Sequence, residues 1–163
     1  MSTDSYMVAT VAAIIERHGT HETEVFFQTR NKRSMTSYGT LELPGGRIQV
    51  GEDVFAALRR EVREETGLSL VAIKPNIVTN VQGLHDRVGY AFMPFCCNSY
   101  HGSPAIGFVF LCEAEGEPKA SSSEATHPQW IPLSEIRRLI KEEPHRFFYY
   151  YLGAIQYYLE QRE

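Results

Sequence analysis

GRIQVGEDVFAALRREVREETGL, residues 46–68, joins a glycine turn to a helix that carries a row of carboxylates. Gly45 and Gly46 follow Pro44 and free the backbone to approach a ligand closely. Gly51-Glu52-Asp53 reads as a turn that puts acidic residues near the positive end of the coming helix. Nothing between Asp53 and Glu65 breaks a helix, and Gly67 stands where a C-terminal cap is expected. At about 100° per residue, Phe55, Leu58 and Val62 share a narrow stripe, while Glu61, Glu64 and Glu65 share an adjacent arc about 100° wide. One side of this helix faces a core and the other is a carboxylate cluster.

Carboxylates crowded on one helical face repel, and like charges four residues apart cost a few tenths of about 1 kcal/mol even in solvent. A hard divalent cation removes that cost. Oxygen donors with no His or Cys nearby suit Mg²⁺, with Mn²⁺ as a substitute, better than Zn²⁺, and Mg²⁺ commonly shares itself with substrate phosphates. The competing reading is a solvated acidic face salt-bridged to Arg59, Arg60 and Arg63.

The spacing decides between the two. Gly46, Glu52, Arg60-Glu61-Val62, Glu64-Glu65 and Gly67-Leu68 fill every fixed position of the Nudix box, so the chain resembles the Nudix (MutT-like) hydrolases. Looser support comes from Leu43-Pro44-Gly45-Gly46 and from Trp130-Ile131-Pro132-Leu133-Ser134-Glu135-Ile136, which is similar to the strand-to-helix passage late in these domains. The resemblance implies an α/β fold, an α/β/α sandwich around a mixed β-sheet, with an added aromatic C-terminal helix. Periodicity alone gives only mixed α and β.

The resemblance also implies a Mg²⁺-dependent hydrolase of the diphosphate linkage in a small nucleoside diphosphate derivative. Glu61, Glu64 and Glu65 are then the metal-binding carboxylates, with the Gly45 carbonyl as a further ligand and Gly46 beside the substrate. Arg60 would hold the carboxylates in place, and Glu52 would fix the loop and helix start through a charge-assisted bond. The general base is either a box glutamate, Glu64 by preference, or Glu124 in the polar segment ahead of Trp130, with Glu113, Glu115 and Glu117 as weaker candidates. Arg30 at the end of a strand, and Arg87 in the His85-Asp86-Arg87 turn, are candidate phosphate contacts. Tyr38, Phe92 and Tyr100 are candidates for stacking on a base, although Phe92 suits a core equally well. The alternative function is a Nudix-fold nucleotide sensor or regulatory module without catalysis, whose mark would be a degraded box; this box is intact. None of the extra motifs expected of ADP-ribose, NADH or coenzyme A hydrolases follows or precedes it.

At 163 residues, 43% hydrophobic and 22% charged, the chain suits one domain, 1–163, with a sizeable core. A net charge of −4 and dispersed basic residues give no electrostatic reason to bind long nucleic acid. Residues 1–4 lack a basic leader, and the 8–15 apolar run is too short to span a bilayer, so the expectation is a cytoplasmic protein with no membrane partner. Cys96, Cys97 and Cys112 suit reduced thiols; a zinc site of Cys97 and Cys112 with His85 or His101 lacks paired-ligand spacing.

Residues 7–15 and 24–29 read as a hairpin turning at His18-Gly19-Thr20, 40–43 leads into the box, and 70–81, 88–97 and 106–114 are further strand-like stretches. Residues 116–126 read as a surface loop, and 129–133 as a short strand entering a helix at Ser134. The segment HRFFYYYLGAIQYYLEQ predicts a helix over about 145–161 with two stripes, Phe148/Leu152/Ile155/Leu159 and Phe147/Tyr151/Ala154/Tyr158. One stripe is enough to dock on a sheet. The surplus of Phe147, Tyr150, Tyr151, Tyr157 and Tyr158 therefore suggests a homodimer through this segment.

Overall fold

Residues 11–15, VAAII, are apolar at every position, as a strand covered on both faces must be, and they form the centre of the sheet. The computed structural model describes residues 6–33, 37–74, 77–82, 88–119, 122 and 124–162, with backbone alone at 77–82 and 88. Strand β1 (Val8–His18) pairs antiparallel with β2 (Thr23–Arg30) and parallel with β9 (Ala105–Glu115). The sheet runs β10 (Ala125–Pro132), β2, β1, β9, β5 (Ser69–Lys74), with all pairs but β1–β9 antiparallel. Short strands β3 (Leu41–Glu42), β4 (Gly45–Arg47) and β8 (Cys96–Ser99) attach to β2, β1 and β9. A separate ribbon joins β6 (Ile77–Gln82) to β7 (Val88–Phe92).

Alternation along the central strands sorts the core into two layers. Val11, Ala13, Ile15, Phe26 and Phe110 pack under helix α1 (Val54–Thr66) against Val54, Phe55, Leu58 and Val62. Ala12, Ile14, Val25, Phe27 and Val109 face the opposite layer, made by α2 (Leu133–Glu142), α3 (Leu152–Glu160) and the turns between them. The architecture is the expected α/β/α sandwich around a mixed sheet.

Three local expectations need correction. The 88–97 stretch divides, because Pro94 has no N–H for a ladder: β7 joins the ribbon and β8 returns to β9. The last strand begins at Ala125 rather than near 129, and its register breaks between Thr126 and Gln129, where His127 has φ 50°. The helix expected over 145–161 exists only as α3. Pro144–Arg146 and Tyr149–Tyr151 are single 3₁₀ turns, and between them the Phe148 N–H donates to the Leu41 carbonyl at 2.7 Å while Phe147 bridges Leu41 in parallel. A sheet edge captures the backbone that a helix would have used.

This course also consumes the aromatic surplus. Phe147, Tyr150, Tyr151 and Tyr158 are all buried in the chain's own core, leaving Tyr149 and Tyr157 at 44% and 42% exposed. Among the described residues no helix is long and apolar enough to cross a membrane.

Candidate active site

Helix α1 starts and stops where its sequence dictates. The Asp53 carboxylate accepts from the Phe55 and Ala56 N–H groups at 2.8 and 3.0 Å, and Gly67, at φ 78°, closes the end by donating to the Arg63 carbonyl at 3.0 Å. Strand β4 runs beside the helix, paired with β1 so that Gly45 lies opposite Ala12 and Gly46 opposite Val11. Neither glycine has room for a side chain. A Cβ on Gly45 would lie 2.2 Å from the Val11 carbonyl oxygen, and one on Gly46 would lie 2.4 Å from the Glu61 carboxyl carbon. The glycine pair thus lets the strand press against both the sheet and the carboxylates of the helix.

Arg60 organises the outer part of the cluster. Its guanidinium grips both Glu52 oxygens at 2.8 and 2.9 Å, donates to Glu61 at 2.7 Å and Glu64 at 3.2 Å, and reaches the Arg47 carbonyl at 3.0 Å. The Arg60 bonds hold Glu52 far below the usual carboxylate range, at about 2, with the Gln49 N–H adding to the effect. Glu64 is 62% exposed and makes the longest of these contacts, so it is the least restrained carboxylate of the box.

Glu65 sits at the inner end and is 9% exposed. Its Oε2 accepts from Gln28 Nε2 at 2.7 Å and from the Gly45 N–H at 3.0 Å. Burial, above all, pushes this carboxyl up to about 8; the Glu42 and Glu61 charges add to the rise, and the Gly45 and Gln28 bonds offset only part of it. Glu42 is raised too, by burial, against the lowering influence of Arg30.

Arg30 belongs to this buried layer. It donates to Glu42 at 2.6 Å and to Ser37 at 3.0 Å, and its guanidinium lies 4.3 Å from the centre of the Phe148 ring. Glu124 is paired with Lys32 on the surface and is 49% exposed. Glu113 is tied to Lys74. Arg87 and His85 lie outside the described residues. Tyr38 and Tyr100 are exposed, whereas Phe92 packs on Phe55, Phe108 and Phe110. Cys112 is buried under α1, four residues along β9 from Phe108, the cross-strand partner of Cys97, so the two thiols stand about 13 Å apart along the strand.

The donor chemistry fits a hard divalent cation. Glu61, Glu64, Glu65 and the Gly45 carbonyl are all oxygen donors, and a carboxyl pushed towards neutrality by burial, and further by its acidic neighbours, is relieved by added positive charge. Among the described residues no three such groups stand together as a ready cage; Arg60 occupies Glu61 and Glu64 instead.

Sequence reading missed Gln28, Glu42 and Ser37. Gln28 and Glu42 are cross-strand partners, 2% and 3% exposed, on the face that meets α1. The signal was parity: Gln28 is two residues from Phe26, whose side chain packs under the helix.

A family-wide sequence profile, the NUDIX domain, matches residues 6–152. A MutT-like protein of Streptomyces ambofaciens is 30% identical over 104 residues, 64% of this chain and 55% of that one. The oxidized purine nucleoside triphosphate hydrolase of Mus musculus is 34% identical over 95 residues, 56% of this chain and 49% of that one. The chain therefore spans about half the length of these relatives. Among solved structures, the MutT protein of Methanosarcina mazei Go1 superposes with a TM-score of 0.63 at 22% identity, covering 99% of each chain.

Proposed function

The chain belongs to the NUDIX-domain family, and from that membership and the carboxylate face of α1 we propose that it is a Mg²⁺-dependent hydrolase of the diphosphate linkage in a small nucleoside diphosphate derivative. The observation that carries the reading is Glu65, a carboxyl only 9% exposed at the inner end of the box helix, which among the described residues accepts from an uncharged amide and a backbone N–H and from no basic side chain. A structural salt-bridge face would not keep an acid there without a cation of its own.

Hydrolysis adds one water across P–O–P: the water oxygen joins one phosphorus, and the bridging oxygen leaves with the other. A bound divalent cation would supply charge neutralisation at the phosphate oxygens and lower the pKa of a nucleophilic water. Glu61, Glu64, Glu65 and the Gly45 carbonyl would hold it. Arg60 keeps Glu61 and Glu64 parked by bonds of 2.7 and 3.2 Å, and the longer of the two is the easier to give up. Glu64, exposed and weakly held, is the preferred base that takes the water proton; Glu124 would first have to leave Lys32. Arg30 acts through Glu42 and Phe148 in shaping the floor beside the site, and Glu52 fixes Arg60. Gly46 lets substrate and Glu61 approach the strand.

The substrate is a small nucleotide. The homodimer expected from the aromatic count loses its motive, since only Tyr149 and Tyr157 of that segment remain half exposed. The test is a panel of nucleoside diphosphate derivatives, including oxidised purine nucleoside triphosphates because the mouse relative is named for them, with ³¹P NMR of the products. The expected result is Mg²⁺-dependent release of two phosphate-bearing products from at least one member. Binding without turnover across the panel would instead support the sensor reading.

A further inference from the structure

The two oxygens of Glu65 are treated differently. Oε2 accepts both available donors, Gln28 Nε2 at 2.7 Å and the Gly45 N–H at 3.0 Å. Oε1 accepts none among the described residues, and it is not sealed from solvent. A carboxylate on a flexible side chain would ordinarily exchange its oxygens by a turn about its last bond. Here that turn would break both bonds.

Gln28 is well placed to prevent it. It is 2% exposed and sits on β2, which is paired on both sides, with Glu42 of β3 as its cross-strand partner. Glu42 stands directly across the ladder from it, so an uncharged amide lies beside two buried carboxylates. The residue type matters. An amide nitrogen offers two donors with no charge. Lysine or arginine at this place would neutralise Glu65 and compete with a cation, and an aliphatic residue would leave Oε2 with the Gly45 N–H alone.

We propose that Gln28 is a positioning residue of the metal centre: by holding Oε2 of Glu65 it presents Oε1 as the ligand oxygen, without adding a competing positive charge. This rests on the reading of Glu65 as a metal ligand, and goes beyond it by assigning which oxygen binds and what holds it. Gln28 itself touches neither substrate nor cation.

The test is Mn²⁺ titration of the full chain without substrate, followed by electron paramagnetic resonance, for the unmodified protein, Gln28→Leu and Gln28→Asn. Thermal melts accompany each. Asparagine keeps the amide but is one methylene too short to reach, so it serves as the milder variant if Gln28→Leu fails to fold. Both variants should bind Mn²⁺ about ten- to a hundredfold more weakly, the usual effect of losing a partner that orients a ligand. The Mg²⁺ concentration for half-maximal hydrolysis should rise in step, while kcat at saturating Mg²⁺ changes by less than about threefold. If the unmodified protein binds Mn²⁺ and a folded Gln28→Asn binds it equally well, the positioning role is overturned and the metal reading stands. If the unmodified protein binds no Mn²⁺, the metal reading falls and takes this proposal with it.

Discussion

One methyl group separates the duties of Gly45 and Gly46. On Gly45 it would strike main chain, the Val11 carbonyl oxygen at 2.2 Å and the Ala12 Cα at 2.7 Å, so the strand itself must move. On Gly46 the three nearest atoms it would meet are all at the end of the Glu61 side chain, which can swing away. Gly45→Ala should therefore lower the melting temperature by several degrees, a loss of about 2 kcal/mol or more. Gly46→Ala should melt within about 2 °C of the parent, yet lose at least about tenfold in kcat as Glu61 is displaced. Equal melting of the two variants, or full activity in Gly46→Ala, would contradict this division. The glycines were legible in sequence because their spacing to the glutamates is fixed. Gln28 and Glu42 were not, since a polar residue near a strand end reads as surface until the helix above it is in place.

At the scale of the element, α1 is the part that sequence specified most completely. Its N-cap, its C-cap glycine and its apolar stripe all lie where residues 53–67 put them. Asp53 does more than cap, because its carboxylate also accepts from the Tyr90 hydroxyl at 3.1 Å and so ties the β6–β7 ribbon to the helix. Asp53→Ala should cost about 1 kcal/mol in a denaturant titration, the usual loss for an N-cap. A change within error would mean that the cap is dispensable.

The Glu52–Arg60 grip has a pH signature. A carboxyl lowered from 4.5 to about 2 in the folded chain contributes stability that is present above pH 4.5 and is lost as pH falls through about 2. In metal-free buffer, Glu52→Gln should melt below the parent at pH 7, and the gap should close as pH drops from 4.5 towards 2. A gap independent of pH would assign the effect to shape rather than charge. The C-terminal segment shows the opposite case of legibility. Its two apolar stripes do reach the core, but periodicity had no access to the Phe148 N–H bond to Leu41 that interrupts the helix.

Across the whole molecule, periodicity gave only mixed α and β, and the two layers over one sheet came from the family resemblance; the strand at 11–15, buried on both faces, and the helix at 54–66 are what realise them. What lay beyond the sequence was which aromatics those layers would absorb. Tyr158 shows the consequence: it is 1% exposed and donates to Glu16 at 2.6 Å, so Tyr158→Glu would replace a buried ring by a charge and remove the hydroxyl that shares Glu16 with Arg162. That variant should lose about 3 kcal/mol or more, whereas Tyr157→Glu should be nearly neutral. Sedimentation at micromolar concentration should be unchanged by Tyr149→Glu with Tyr157→Glu, because these two half-exposed rings alone fall far short of the roughly 800 Å² per partner that a stable interface buries. A dimer that dissociates on Tyr149→Glu with Tyr157→Glu would contradict that expectation.

If the carboxylates of α1 hold a cation that drives diphosphate hydrolysis, turnover of the best panel substrate in the parent and in Glu64→Gln must reveal it. Each is assayed with Mg²⁺ and with excess chelator. Chelator should abolish turnover in the parent, and Glu64→Gln, melting as the parent does, should lower kcat by at least about a hundredfold, because a neutral amide binds a hard cation weakly and cannot take a proton from water. Undiminished turnover in chelator, or a folded Glu64→Gln protein with the parent's kcat, would contradict it.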